Sequence, residues 1–260
     1  PYRAVDSLES LKQAVAELGF PIVLKTVTGG YDGKGQFVLR SEDQIDTAWA
    51  ELGPAKSLIA ESFVKFSREV SIIAVRGQDG DVKTWALAEN HHHNGILSHS
   101  IVPAPNSTDL QPVAQDYITR LLNHLNYVGV LTLELFVTEQ GLYANEMACR
   151  VHNSGHWSIE GAICSQFENH IRAVAGLPLG ATDVVRPTVM INIIGQHPKS
   201  EDVLALKGAH LHLYNKSERA GRKLGHITLM PNNRDDLTDL CRQLAKILPI
   251  PLALTDNMTI

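Results

Sequence analysis

The sequence predicts an α+β protein in which antiparallel hairpins pack with amphipathic helices. Apolar runs of strand length follow one another across short turn-forming loops, and apolar residues recur at helical spacing between them. The 260 residues are 44% hydrophobic and 20% charged, with a net charge of −5. Such a chain can bury a sizeable core, and it lacks the basic excess that favours nucleic acid or an anionic membrane surface. We therefore expect small-molecule partners, with no nucleic acid and no membrane.

The first predicted unit covers residues 1–66. Asp6 and Glu9 predict a capping box for a helix that ends at Gly19, and Ser41 with Gln44 predicts a second box. The remaining elements expected in this unit are strands over 20–25, 36–40 and 57–64 and a helix over 42–52.

A second unit is predicted over residues 67–182 and a small β-rich module over 183–260. In the second unit, the polar run "NHHHN" predicts a turn between two strands. The other expected elements are strands over 68–76, 83–89, 95–102, 129–138 and 142–147, helices over 109–127 and 158–176, and a helix near 233–247 in the last module.

The run "GGYDGKGQ", residues 29–36, contains four glycines and one lysine. Successive backbone N–H groups beside a lysine suit a phosphate. The run is not a P-loop, because Thr28 and Gly35 stand at positions that require Gly and Ser or Thr, and a strand follows where a helix should begin. It predicts a hairpin flap over a nucleotide, with an ordinary glycine-rich hairpin as the alternative.

Two glutamates are predicted to face each other across a hairpin. A three-residue loop over 139–141, with Gly141 in the left-handed region, places Glu134 opposite Glu146. Opposed carboxylates repel unless a cation lies between them or one is protonated, and oxygen ligands of this kind hold Mg²⁺. A slipped register or an exposed pair at a sheet edge is the alternative.

Two polar segments complete the candidate site. The run 145–157 gathers Arg150, His152, Asn153 and His156 after a strand, which predicts an anionic substrate near the metal. The run 215–226 gathers Lys216, Arg219, Arg222 and Lys223, which predicts a phosphate site, with a solvated basic face as the alternative.

The motifs "LKTVTGGYDGKGQ", "ESFVKFSREVS", "NEMACRVHNSGHWSIEGAICSQFENHIRAV" and "GRKLGHIT" resemble the 5-(carboxyamino)imidazole ribonucleotide synthases, a family of ATP-grasp enzymes. The likeness covers nearly the whole chain, and "RVHNSGHW" is specific to this family. It implies an ATP-grasp fold, with two α+β subdomains clasping ATP and a small β-rich C-terminal module. It also implies carboxylation of 5-aminoimidazole ribonucleotide by ATP and bicarbonate through carboxyphosphate, in purine biosynthesis.

The resemblance assigns roles to individual residues. ATP and Mg²⁺ are the implied cofactors, with Glu134 and Glu146 as metal ligands. Arg150 and His152 are the implied catalytic residues. The implied substrate contacts are Asn153, Ser154, Lys216, Arg222 and Lys223. The implied ATP contacts are Lys25, Gly30, Tyr31, Asp32, Gly33, Lys34, Gly35, Gln36, Glu61, Ser62, Phe63, Val64, Glu69, His92, Asn145 and Glu146.

Three departures from the family pattern are expected to matter. The family begins with a domain of roughly a hundred residues, carrying its own glycine-rich loop, that has no counterpart here. Cys149 and Asn215 replace a usual proline and a usual glycine. The resemblance implies a homodimer for the full-length protein, and three widely spaced cysteines predict the cytoplasm.

Two other functions fit the same sequence. One is a different ATP-grasp ligase, such as a formate-using glycinamide ribonucleotide transformylase, against which the "RVHNSGHW" loop argues. The other is a nucleotide-binding regulatory module that is catalytically silent.

Overall fold

The computed structural model describes residues 1–29, 35–53, 57–232 and 234–249, and for residues 234 and 235 the backbone alone. Contacts divide the chain into two compact units, one of Pro1–Lys65 with Asn94–Ile96, the other of Phe66–His93 with Leu97–Ile260. The division into 1–66, 67–182 and 183–260 stays a prediction. No helix in these described ranges is long and apolar enough to cross a membrane.

The first unit is built on an antiparallel four-stranded sheet. Its strand order is β1 (Tyr2–Val5), β4 (Leu58–Ser62), β2 (Ile22–Thr26) and β3 (Gln36–Leu39). Alternate residues of β2 and β4 are buried, as expected for strands with one covered face. The covering elements are α1 (Leu8–Leu18) and α2 (Ile45–Leu52), whose apolar residues join one core with the sheet.

The capping box of α1 is formed by residues other than those predicted. Ser7 is the N-cap, with an extended φ of −149°. Its hydroxyl accepts from the Ser10 amide at 3.2 Å, and Ser10 Oγ accepts from the Ser7 amide at 3.0 Å. Asp6 instead accepts hydrogen bonds from both hydroxyls. The short serine side chains reach the free amides of the first turn directly, so the carboxylates are not needed there.

The second unit contains a nine-stranded antiparallel sheet. Eight strands lie side by side in the order β10 (Gly141–Ala148), β9 (Gly129–Thr138), β5 (Arg68–Arg76), β7 (Ala88–His93), β8 (Ile96–Val102), β11 (Thr188–Ile194), β13 (Lys223–Leu229) and β12 (Ala209–Leu213), and β6 (Val82–Thr84) pairs with β5. The strands predicted for the C-terminal module therefore continue this sheet, through the pairing of β11 with β8.

Successive side chains of the central strands lie on opposite faces of this sheet. Leu131, Leu133 and Leu135 of β9 pack in one core with α3 (Leu110–His124). Val130 packs in the other core with Trp157. Because side chains alternate along a strand, Thr132 and Glu134 belong to the Val130 face, away from α3. After β10 the chain continues through a loop into α4 (Ser158–Gly161) and α5 (Gln166–Val174). The remaining helices of the unit are α6 (Ser200–Leu204) and α7 (Arg234–Ile247).

The turn predicted over "NHHHN" lies further along the chain. The three histidines His91–His93 are in β7, and the chain reverses at Asn94 and Gly95, whose φ angles are 50° and 75°. An Asn–Gly pair adopts two successive left-handed conformations readily and is typical of a two-residue hairpin. The dipeptide, rather than the polarity of the run, marks the turn.

The predicted helix over 158–176 is broken in two. Ala162 is extended, with φ −122° and ψ 156°, and forms an isolated β-bridge with Val184. Ser165 then caps a new helix by accepting from the Glu168 amide at 3.1 Å. A backbone pairing between distant segments thus interrupts an otherwise continuous helical pattern.

Candidate functional site

The β9–β10 hairpin brings Glu134 and Glu146 together. The register pairs Glu146 with Glu134 directly, so the predicted opposition is confirmed. The predicted three-residue loop is wrong, because Gly141 pairs with Thr138 and leaves a two-residue turn. A bulge at Asn145 then adds one residue to β10 and restores the alignment of the two glutamates. Two errors of one residue therefore cancel.

The acidic pair is electrostatically unfavourable without a cation. Only 14% of the Glu134 side chain is exposed. Burial, reinforced by the charge of Glu146, raises the pKa of Glu134 from 4.5 to about 7. One ligand atom each of Glu134, Glu146 and His152 lie within 4.8 Å of one another. Two carboxylates this close, with a raised pKa, are a donor set that fits a hard divalent cation.

A second cluster shares Glu134. Ligand atoms of Glu69, His92 and Glu134 also lie within 4.8 Å of one another. Glu69 Oε1 is 3.3 Å from His92 Nδ1. Burial works to lower the pKa of His92, but the hydrogen bond and charge of Glu69, together with Glu134, raise it above the usual value. Glu69 and His92, both predicted to bind the nucleotide, are therefore neighbours of Glu134.

His152 is held from both its ring and its backbone. Its Nε2 lies 3.2 Å from Glu134 Oε1, and its Nδ1 lies 2.8 Å from Ser154 Oγ. Burial, followed by the charges of Arg150 and Lys223, lowers the pKa of His152 to about 3, so the ring is neutral near pH 7. The side chain of Gln166 accepts from the His152 amide at 2.9 Å and donates to its carbonyl at 2.7 Å.

The other predicted residues of the polar loop differ in exposure. Arg150 is exposed, and its Nη1 donates to the Val151 carbonyl at 3.0 Å. Asn153 exchanges two side-chain hydrogen bonds with Asn192, at 2.9 and 2.6 Å. Ser154 is fully buried. Direct substrate contacts of Asn153 and Ser154 stay predictions, and both side chains already have protein partners.

The predicted phosphate-binding residues follow β12. Lys216 is exposed, with its Nζ 5.3 Å from the centre of the Tyr214 ring, and Arg222 Nη1 donates to Ser217 Oγ at 3.1 Å. Lys223 begins β13, and its charge acts on Glu134, His92 and His152. Lys223 therefore lies within electrostatic range of Glu134 and of the two histidines beside it. Asn215 has φ 54°, a left-handed conformation that asparagine tolerates better than most residues, which explains how it stands where the family has glycine.

In the first unit, two of the predicted nucleotide contacts form an ion pair. Lys25 Nζ lies 2.7 Å from Glu61 Oε2 across β2 and β4. Ser62 ends β4, the side chain of Phe63 is exposed, and Val64 follows. Gly35 has φ 78° and accepts from the Thr26 amide, and Gln36 begins β3. The remaining flap residues Gly30, Tyr31, Asp32, Gly33 and Lys34 lie outside the described residues.

Sequence reasoning missed the residues that support His152. Gln166 is fully buried at the start of α5, and Ser71 and Asn90 are buried in central strands. Their signal is the presence of small polar residues at positions whose periodicity predicts burial. That signal marks a polar contact but does not name its partner.

Comparisons with known proteins identify the family of the chain. Residues 1–167 match the ATP-grasp domain family, and residues 188–239 match the phosphoribosylaminoimidazole carboxylase C-terminal domain family. The N5-carboxyaminoimidazole ribonucleotide synthase of Vibrio parahaemolyticus is 46% identical over 250 residues, which cover 94% of this chain and 66% of the relative. The crystal structure of the synthetase of that name from Thermus thermophilus superposes with a TM-score of 0.89 at 46% identity, covering 96% of this chain and 68% of that one.

The chain belongs to the N5-carboxyaminoimidazole ribonucleotide synthase family. Another member of this synthase family, from Aspergillus clavatus, was solved in complex with ADP and 5-aminoimidazole ribonucleotide. It matches with a TM-score of 0.87 at 30% identity, over 95% of this chain and 68% of that one. The predicted family and the ATP-grasp fold are thereby confirmed. The chain spans about two thirds of the length of these synthase relatives.

Proposed function

We propose that this chain, within its full-length protein, carboxylates the exocyclic amine of 5-aminoimidazole ribonucleotide with ATP and bicarbonate. The observation that carries the proposal is that ligand atoms of Glu134, Glu146 and His152 lie within 4.8 Å of one another, where the charge of Lys223 also acts on Glu134. An acidic pair suited to a cation, next to a basic group, matches a reaction between two anions. The fold and relatives that perform this chemistry support it.

The reaction has two steps whose charges these residues can accommodate. An oxygen of bicarbonate attacks the γ-phosphorus of ATP, and ADP leaves, giving carboxyphosphate. The amine nitrogen of the ribonucleotide then attacks the carboxyl carbon, phosphate leaves, and the nitrogen loses a proton. Both steps concentrate negative charge on oxygen atoms, so fixed cationic donors lower their barriers.

Glu134 and Glu146 would hold Mg²⁺, whose bound charge neutralises phosphate oxygens during transfer. His152 is neutral, and its Nε2 faces Glu134, so it can orient that carboxylate without competing for the cation. Arg150 is exposed, and its guanidinium, which donates one hydrogen bond to the Val151 carbonyl, would turn towards the bicarbonate-derived group.

Nucleotide contacts are proposed residue by residue. Lys25 would contact phosphate oxygens, since its ammonium group is already oriented by Glu61. Glu61 to Val64 would pair with adenine, and the Glu69 carboxylate would accept from ribose hydroxyls. His92, hydrogen-bonded to Glu69, would fix that carboxylate. Asn145 would contact ATP from the bulge of β10.

The ribonucleotide phosphate would be bound by Lys216, Arg222 and Lys223. Homodimer formation and a cytoplasmic location also remain proposals. The location is supported by three unpaired cysteines, Cys149, Cys164 and Cys241, which is usual in a reducing compartment.

The test uses the full-length protein that contains this chain. ADP and phosphate release should require ATP, Mg²⁺, bicarbonate and 5-aminoimidazole ribonucleotide together, and labelled bicarbonate should appear in the ribonucleotide. Turnover with formate and glycinamide ribonucleotide instead would identify the transformylase. ATP binding with no ribonucleotide-dependent phosphate release would identify a silent nucleotide-binding module.

A further inference from the structure

A buried chain of hydrogen-bonded side chains leads from the middle of the large sheet to His152. Ser100 Oγ donates to Asn90 Oδ1 at 2.8 Å, and Asn90 Nδ2 donates to Ser71 Oγ at 3.0 Å. Ser71 Oγ donates to Ser154 Oγ at 2.8 Å, and Ser154 Oγ lies 2.8 Å from His152 Nδ1. The four residues that precede the histidine in this chain are each at most 4% exposed. Water therefore cannot easily replace a lost partner.

The chain has one donor direction, because each hydroxyl that accepts one hydrogen bond donates the next. The Ser154 hydroxyl accepts from Ser71 and so donates to His152 Nδ1. The Ser154 amide also points at Nδ1, at 3.3 Å, and an amide N–H can only donate. Two donors at Nδ1 leave the proton of the neutral ring on Nε2, which faces Glu134 Oε1.

We propose that Ser71, Asn90 and Ser100 are positioning residues that fix the tautomer of His152, so that its Nε2–H orients Glu134 for Mg²⁺. In the opposite tautomer, an Nε2 lone pair would face the carboxylate oxygen, and repulsion would displace Glu134. Partners of this kind behind a metal-binding carboxylate are worth about 10- to 100-fold in affinity or activity. The inference rests on the proposed function where it names Mg²⁺.

The central test is Ser71→Ala, with Thr132→Val as its matched control. Without Ser71, the Ser154 hydroxyl is free to accept, so only the longer amide contact at 3.3 Å still disfavours a proton on Nδ1. Thr132 is a fully buried residue on the same face, and its hydroxyl has no hydrogen-bond partner, so valine should change nothing. Two-bond ¹H–¹⁵N spectra of the imidazole rings report the tautomer directly, and the His152 signals are assigned by their loss in His152→Asn.

The wild type and Thr132→Val should show a single tautomer with an unprotonated Nδ1, and Ser71→Ala should show a mixture of both. Mg²⁺ affinity, measured by calorimetry without ribonucleotide, should fall by about 10- to 100-fold in Ser71→Ala. Ser100→Ala should mix the tautomers and lower the Mg²⁺ affinity less than Ser71→Ala does, because Asn90 keeps its bond to Ser71. If Ser71→Ala does not fold, Ser100→Ala provides the test.

In a His152→Asn background, Ser71→Ala should cause no further loss of Mg²⁺ affinity, because the two residues act in series. An additive loss would overturn the proposal, as would a single unchanged tautomer in Ser71→Ala. The tautomer spectrum needs neither ATP nor ribonucleotide, so a protein that fails to carboxylate would leave it intact. Mixed tautomers in the wild type would overturn the positioning role even in an active synthase.

Discussion

Replacing Glu134 by glutamine should stabilise the metal-free protein at alkaline pH. Burial, with the charge of Glu146, raises the pKa of Glu134 from 4.5 to about 7 on folding. Folding therefore favours the protonated carboxyl: this contribution is complete below about pH 4.5 and is lost as the pH rises through about 7. At about 1.36 kcal/mol per pKa unit, the ionised carboxylate costs the folded protein about 3 kcal/mol at pH 8. Glutamine avoids that cost and keeps an oxygen that can accept from His152.

Other charged groups set the size of this effect. Glu69 also raises the pKa of Glu134, whereas His92 and Lys223 lower it. Glu69 and Lys223 are unchanged in the glutamine variant, whereas His92 loses the Glu134 charge that helps to raise its pKa. The difference between wild type and variant therefore reports the Glu134 carboxyl together with its coupling to His92.

The assay is urea unfolding in the presence of EDTA at pH 5 and pH 8, with Thr132→Val as the control variant. The stability advantage of Glu134→Gln over wild type should grow by about 2–3 kcal/mol between the two pH values. Saturating Mg²⁺ at pH 8 should then stabilise the wild type and leave the variant nearly unchanged. An advantage that is equal at pH 5 and pH 8 would refute the buried, repelled carboxylate.

Further predictions concern the loops around this site and the bulge of β10. Arg150→Ala should lower kcat by a factor on the order of a hundred to a thousand, because donors aimed at developing charge act in the transition state, whereas Arg222→Ala should mainly raise KM for the ribonucleotide. Steady-state kinetics of the full-length protein checks both. A higher KM for ATP in Arg222→Ala would show that this arginine contacts ATP instead. Gly155→Ala should destabilise by about 1–3 kcal/mol in urea unfolding, because its methyl group would overlap a core isoleucine and a buried glutamine; unchanged stability would show that the loop can shift. Deletion of Asn145 should retain the rise in Tm on adding Mg²⁺, since removing the bulge keeps the glutamates opposed, whereas Glu146→Gln should lose it; loss in both would contradict the register.

Long periodic segments were predictable from the sequence because their own side chains determine them. The strands over 68–76 and 129–138 have the predicted bounds, since β-branched and apolar residues fill both faces of a buried sheet. The helix predicted over 158–176 fails at Ala162, where pairing with Val184 outweighs helical periodicity. A contact between segments that are distant in the sequence leaves no local pattern.

The acidic pair shows how a correct site can follow from an incorrect local structure. Two-residue and three-residue turns both fit the sequence after Thr138, and a bulge has no sharp sequence signal. The cost of burying a charge favours the observed register. With the observed turn and no bulge, Glu146 would stand opposite Leu133, on the apolar face against α3. Burying a carboxylate there is far costlier than adding one residue to an edge strand.

Within the "RVHNSGHW" loop, the residue that faces the acidic pair differs from the residues that hold the loop in place. A sequence motif specifies which residues occur together, but it does not say which of them face a ligand. His152 faces Glu134, whereas Ser154 is fully buried and Asn153 is engaged by Asn192. Their partners come from strands far away in the sequence, so only the assembled sheet reveals that part of the motif holds the rest in place. Substitution of a residue whose side chain is buried and fully hydrogen-bonded should accordingly alter the geometry of the site. Substitution of a residue whose charged group is exposed, such as Arg150, should alter its chemistry.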